Sequence, residues 1–209
     1  MQWHDVEQNG PEWELLKLGK ASSSSYAKFM ANFGKPFGEP AHRYALQIAL
    51  ERVTERKAEH SFKNDDMDRG HEQEPIARML YEEMFFCEVG NGGFFDFGQY
   101  GDSPDGLIGT DGVIEIKSVI ASTHHDTIKR GKFDPAYKWQ MAGHFDSGRQ
   151  WVDFVSFCAD YPEWNQLVVY RVWRDEMAEE IAMLNERRAE FLELVVQKET
   201  EINERMVVQ

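Results

Sequence analysis

The stretch that most constrains this chain runs from Gly106 to Ser118. Gly106-Leu107-Ile108-Gly109 and Val113-Ile114-Glu115-Ile116-Lys117 are two short β-like segments, and Thr110-Asp111-Gly112 between them is a hairpin turn signal. Successive side chains on a strand point to opposite faces. Glu115 and Lys117 therefore share one face, while Ile116 points the other way, into a core. Ser103-Pro104-Asp105-Gly106 forms a tight turn that enters the first strand, so Asp105 stands at the head of the same hairpin.

Helical patterns flank this β region. Pro11 opens a short helix that runs through Leu18, with Gly19 just past its end. The Ser22–Ser25 run is read as the N-cap of a second helix carrying Tyr26, Phe29 and Met30. A loop with Gly34, Pro36, Gly38 and Pro40 follows. Ala41 to about Ala58 carries Tyr44, Ala45, Ile48, Ala49 and Val53 at helical spacing. A further helix is expected from Asp65–Met67 to Phe86, burying Ile76, Met79, Leu80 and Phe86. Gly92–Phe97 is β-like, and Phe133 to about Phe145 reads as a helix. Trp151–Cys158 and Leu167–Val172 read as strands. A long helix from about Asp175 aligns Met177, Ile181, Leu184, Phe191 and Val195 on one face. With no repeat and no linker, residues 1–209 are read as one α/β domain, a small mixed β-sheet flanked by helices.

At 209 residues, 42% hydrophobic and 13% aromatic, the chain can bury a core. No apolar run approaches the roughly 20 residues that span a bilayer, and Met1-Gln2-Trp3-His4-Asp5 lacks the layout of a secretory signal. A cytoplasmic protein without membrane attachment is expected. Cys87 and Cys158 exclude a disulfide framework, a zinc ribbon and an iron–sulfur cluster. A net charge of −14 argues against a protein that coats DNA by neutralising phosphates. Charge is unevenly spread, however. Lys117, Lys129, Arg130, Lys132 and Lys138 face only Asp126 and Asp134 over the same stretch, whereas acids outnumber bases after Arg174.

Asp105, Glu115 and the Ile116 carbonyl form a hard oxygen donor set suited to Mg²⁺, which keeps its other positions for water and phosphate. Lys117 beside them can orient an attacking water. Such a set performs metal-assisted phosphodiester hydrolysis. The competing reading is an exposed cross-strand face next to an ordinary Pro-Asp-Gly turn.

Five ordered motifs extend this core. Trp13-Glu14-Leu15-Leu16-Lys17-Leu18-Gly19 followed by Ser22–Ser25, Gly70-His71-Glu72-Gln73-Glu74-Pro75-Ile76-Ala77-Arg78, Ser103-Pro104-Asp105-Gly106-Leu107, Glu115-Ile116-Lys117 and Tyr137-Lys138-Trp139-Gln140 together resemble the phage lambda exonuclease or YqaJ-like viral recombinase family, from about Trp13 to Trp151. The resemblance implies a restriction-endonuclease-like PD-(D/E)xK fold and a metal-dependent deoxyribonuclease. It implies Asp105, Glu115 and the Ile116 carbonyl as metal ligands, with Mg²⁺ as cofactor and Mn²⁺ able to substitute. It assigns Lys117, Glu74 and Gln140 to catalysis, and Lys17 with Ser24 to the 5′-phosphate. Lys17 stands where the family has Arg, which keeps the charge and loses the bidentate fork. The family's additional acid about ten residues before the Pro-Asp turn falls on Phe95, with Asp96 the nearest carboxylate.

The activity so implied is a 5′→3′ exonuclease on double-stranded DNA ends, releasing mononucleotides and leaving 3′ single strands for phage-type recombination. A ring-shaped homotrimer, a phage-type single-strand annealing protein as partner, and the cytoplasm of a bacterial host carrying the phage or prophage complete what the resemblance implies. The alternatives are an endonuclease with the same core and a non-catalytic DNA-end-binding accessory protein. His124-His125-Asp126 is read as a polar loop, and Trp139 and Trp151 as packing residues.

Overall fold

The computed structural model describes residues 1–58 and 65–204. Its strands are β1 Gln2–His4, β2 Ala21–Ser22, β3 Phe94–Asp96, β4 Tyr100–Asp102, β5 Gly106–Ile108, β6 Gly112–Ser118, β7 Trp151–Phe157 and β8 Leu167–Trp173. Its helices are α1 Pro11–Lys17, α2 Ala27–Met30, α3 Glu39–Thr54, α4 Asp65–Phe85, α5 Ala121–Arg130, α6 Lys138–His144 and α7 Ala178–Asn203. The α/β reading holds, with one change. The strands form two four-stranded mixed sheets, ordered β1-β3-β4-β2 and β5-β6-β7-β8. β1, β2 and β4 are too short to leave an alternating pattern in the sequence.

The second sheet carries the expected hairpin. β5 and β6 pair antiparallel with Gly106 opposite Ile114, and continuing that register by one residue sets Asp105 opposite Glu115. β6 then pairs parallel with β7, and β7 antiparallel with β8. The crossover between β6 and β7 carries α5 and α6, so a helix is delivered beside the strand that bears Glu115 and Lys117. Gly112 is required at the turn: a Cβ there would lie 2.2 Å from the Trp151 ring.

The larger core joins α2, α3, α6 and α7 to the inner face of the second sheet. Phe191 of α7 stacks on Phe29 at 4.4 Å and on Tyr44 at 5.5 Å between ring centroids. A smaller core lies between α4 and the other face, around Ala77, Tyr81, Ile114, Ile116 and Val155.

Three expectations are corrected. In α4 the buried stripe is Ala77 and Tyr81, while Ile76 and Met79 are half exposed and Phe86 is 95% exposed. The Tyr81 hydroxyl donates to the buried Asp153 carboxylate at 2.6 Å, which sets the helix's rotation, and Phe86 adopts a left-handed backbone beyond its end. The serines do not cap a helix through their side chains. They form a single 3₁₀ turn over Ser23–Ser25 that leads into α2. His124, His125 and Asp126 lie on α5, not in a loop, and His124 is buried against Ser156 at 2.8 Å and the Asn165 carbonyl at 3.0 Å.

Candidate active site

The Pro-Asp turn is wedged in place from two sides. Gly92 passes so close that a Cβ would sit 1.7 Å from the Pro104 carbonyl oxygen. From the other side the Gln8 amide donates to the same carbonyl at 2.8 Å, and Trp13 Nε1 donates to Ser103 Oγ at 2.8 Å. Trp13 is thus a strut between α1 and the turn. Asp105 then reaches across the hairpin, and its Oδ2 accepts from the Ile116 amide at 2.6 Å.

Asp105, Glu115, Ile116, Lys117, Gln140, Glu74, Lys17 and Ser24 all line one cleft of about 610 Å³. Eight residues drawn from six separate parts of the chain are therefore brought together. Asp96 is not among the residues that line the cleft. It ends β3 and pairs with Lys20 at 2.7 Å. Of the five cations between Lys117 and Lys138, Lys117 alone lines the cleft, where it is joined by Lys17 and by Arg69 of α4. Lys132 and Lys138 line a different groove, beside β8.

Glu115 is held at both oxygens. Lys117 Nζ and Gln140 Nε2 donate to Oε1, the latter at 2.6 Å. Oε2 lies 2.9 Å from Nε2 of His144, an ion-pair distance at which the ring N–H is off the hydrogen-bond line. His144 Nδ1 in turn meets the Asp102 carboxylate at 2.9 Å. Glu115, His144 and Asp102 are all buried. Sequence reasoning missed Asp102 and His144. The available signals were an Asp three residues before Asp105 and a His one helical turn after Gln140.

These contacts separate the two carboxylates electrically. Burial pushes Asp105 well above the usual carboxylate range, and the charges of Glu115 and Glu74 push it further. Burial would raise Glu115 too, but the Lys117 charge and His144 pull it down to about 2. Burial would lower His144, but Asp102 and Glu115 outweigh that and push it up to about 10. Lys117 is raised in the same way: burial works against its charge, and Glu115 and Asp105 overcome it.

The YqaJ-like viral recombinase domain model matches residues 12–146. The chain belongs to that family. Among solved structures, this family member resembles the alkaline exonuclease LHK-Exo from Laribacter hongkongensis at 32% identity and a TM-score of 0.78, over 92% of this chain and 98% of that one. The complex of LHK-Exo with dAMP matches equally well. A phage related exonuclease from Haemophilus somnus 129PT shares the fold at 16% identity and a TM-score of 0.69, over 88% and 96% of the two chains. No curated protein sequence matches.

Among the described residues, no three His, Cys, Asp or Glu side chains converge as a ready-made metal cage. The donor set is instead two carboxylates beside backbone, in a cleft open to water. That composition fits Mg²⁺, which is seldom held by protein alone. The raised pKa of Asp105 fits as well, since a divalent cation would relieve the crowding of Asp105, Glu115 and Glu74.

Also in the cleft wall, Lys17 Nζ lies 4.3 Å over the Trp13 ring. Burial lowers its pKa, with Lys57 and Lys28 lowering it further against Glu14. Ser24 is exposed, its Oγ 3.2 Å from Ser22 Oγ. Lys17 and Ser24 line the same cleft, a cation and a hydroxyl, which are groups able to bind an anion.

Proposed function

We propose that this chain is a Mg²⁺-dependent 5′→3′ exonuclease that degrades one strand from double-stranded DNA ends. It releases mononucleotides and leaves a 3′ single strand for recombination by strand annealing. That it is a nuclease follows from its family and from the fold it shares, at 32% identity, with an alkaline exonuclease. The observation that carries the finer reading is the single cleft joining Asp105, Glu115 and Lys117 to Lys17 and Ser24.

Asp105, Glu115 and the Ile116 carbonyl would hold the cation, with Mn²⁺ a workable substitute. When bound, the metal supplies Lewis-acid polarisation of the phosphate and charge stabilisation for the leaving oxygen. Lys117 and Gln140 stand where they can place a water against the phosphorus, and Glu74 can accept a proton from that water. Attack breaks the P–O3′ bond of the terminal nucleotide, whose 3′-oxygen leaves and takes up a proton. The shortened strand ends in a new 5′-phosphate. That product end is again the anion that Lys17 and Ser24 would hold, so each cut would regenerate the ligand for the next.

The remaining parts of the proposal are a ring-shaped homotrimer that threads DNA, a phage-type single-strand annealing protein as partner, and the cytoplasm of a phage-carrying bacterium. An acidic exterior suits a ring, since like charge discourages duplex from binding outside its channel. No helix among the described residues is long and apolar enough to cross a membrane.

The test is digestion of a linear duplex labelled separately at each 5′ and 3′ end, with and without Mg²⁺. Early release of the 5′ label as mononucleotide, faster from a phosphorylated end, is expected. Early loss of the 3′ label would reverse the polarity, and cutting of closed circular duplex would make the enzyme an endonuclease.

A further inference from the structure

Helix α6 grips Glu115 twice. Gln140 and His144 are four residues apart and so lie on one face of the helix. Gln140 Nε2 reaches Oε1 at 2.6 Å and His144 Nε2 reaches Oε2 at 2.9 Å. The two oxygens face different surroundings. Oε1 accepts from Lys117 and Gln140, whereas Oε2 meets a ring that is itself completely buried. Behind that ring Asp102 is 1% exposed and accepts from Nδ1 at 2.9 Å. Asp102 belongs to the same short segment as Asp105, three residues further on. The bracket therefore ties the segment that carries one carboxylate to the side chain of the other.

We propose that His144, anchored by Asp102, is a positioning residue for the metal centre. Its ion pair with Glu115 Oε2 fixes the orientation of the carboxylate that would hold the cation. This rests on the metal-dependent reading above. A free carboxylate rotates about its last bond and can bind a cation with one oxygen or two. A buried cationic ring 2.9 Å from one oxygen restricts that freedom. The arrangement is a carboxylate–imidazole–carboxylate relay in which the outer pair orients the inner ligand, and loss of such supports weakens metal binding by about 10–100-fold. A buried pair serving stability alone would lower the melting temperature of its variants and leave the metal affinity of the folded protein unchanged.

The experiment is calorimetric titration of the full chain with Mn²⁺ alone, without DNA, for the wild type, His144→Gln and Asp102→Asn, each held well below its melting temperature. Gln keeps a donor but shortens the reach, and Asn keeps the shape of Asp102 without its charge. The expected result is Mn²⁺ binding weakened about 10–100-fold in His144→Gln and by a smaller factor in Asp102→Asn. Nuclease rate would then recover in His144→Gln as Mn²⁺ is raised. Should His144→Gln fail to fold, Asp102→Asn, which exchanges one oxygen for an amide nitrogen, gives the reading by itself. Wild-type affinity in the folded variants would overturn this role and leave the proposed function standing. No Mn²⁺ binding by the wild type would overturn the metal-dependent reading itself.

Discussion

His144 and Asp146 stand two residues apart and belong to two differently built clusters of buried charge. Asp146 faces α7, where Arg188 donates to both of its oxygens. Arg188 also donates to Asn185 at 2.5 Å and to the Tyr26 hydroxyl at 3.2 Å, and lies 3.7 Å over the Tyr100 ring. One acid meets one base, and the guanidinium's fork is well used. On the cleft side Asp102, Asp105 and Glu115, with Glu74 nearby, lie around Lys117 and His144, with Lys17 and Arg69 also in the cleft wall. The first cluster is balanced and inward. The second crowds several acids at the wall of a cleft, and two of its carboxylates, Asp105 and Glu115, are driven in opposite directions. Crowded carboxylates whose pKa values are pushed apart at a cleft are the kind of arrangement that gathers at functional sites, which singles out the second cluster.

The largest effect expected is on turnover. Lys117→Ala should lower the nuclease rate by about 10²–10⁴-fold at saturating divalent metal, the range for loss of a positioned acid–base group. The loss should appear as kcat in single-turnover digestion of linear duplex, on protein whose circular dichroism matches the wild type. A variant within a few-fold of wild type would erase the distinction between the clusters.

The balanced cluster makes the converse prediction. Arg188→Ala leaves the carboxylate of Asp146 buried beside the core without its cation, a change that costs about 3–5 kcal/mol in comparable pairs. Side-chain exposures of 5% and 11% place this pair well away from bulk water. Urea denaturation should show that loss, while the rate per folded molecule stays near wild type at low temperature. A variant that keeps its stability and loses activity would exchange the two roles.

How much of this was legible in the sequence follows from the range of each interaction. The β5–β6 hairpin was readable because its alternation and its turn are local, and Asp105, Glu115 and Lys117 came with it. The two-sheet arrangement was not, because Ala21–Ser22 acquires strand character by pairing with Tyr100 and Gly101, and Tyr100–Asp102 by pairing with both that segment and Phe94–Asp96. α4 was readable as a helix but not in its rotation, which depends on Tyr81 meeting Asp153 across 72 residues. Glu74, Gln140, Lys17 and Ser24 were found through family motifs, not through spacing, and the fold gathers them at one cleft. Asp102 and His144 escaped because they meet 42 residues apart and neither belongs to a local pattern.

Lys17, in the same cleft, offers a smaller and more selective change. Lys17 is a compact charge where a guanidinium would offer two parallel donors to a phosphate. Lys17→Arg should increase the preference for 5′-phosphorylated over 5′-hydroxyl ends, by up to about tenfold, the equivalent of about one added charge-assisted hydrogen bond. Paired digestion of the two substrates measures it. An unchanged ratio would detach Lys17 from end recognition without touching the metal-binding half of the cleft.

The smallest effect belongs to a pair outside both clusters. Asp96 and Lys20 are balanced like Asp146 and Arg188, yet their side chains are 23% and 18% exposed, so water already screens them. Burial pushes Asp96 up, but the Lys20 ammonium and the Gly98 amide outweigh it and hold its carboxyl below the usual range. A carboxylate with a lowered folded pKa contributes its stability above its unfolded value, near pH 4, and loses it as the pH falls through the folded value. Asp96→Asn should therefore cost at most about 1 kcal/mol at neutral pH, and wild type and variant should converge as acid titrates the wild-type carboxylate. Melting curves from pH 7 down to pH 3 would show it. If the difference instead persisted undiminished into acid, the Asp96 contribution would lie in its fit at the Gly98 turn and not in its charge. Balance alone would then be a poor guide to which ion pairs hold this fold together, and burial would be the property that sets the Arg188 pair apart.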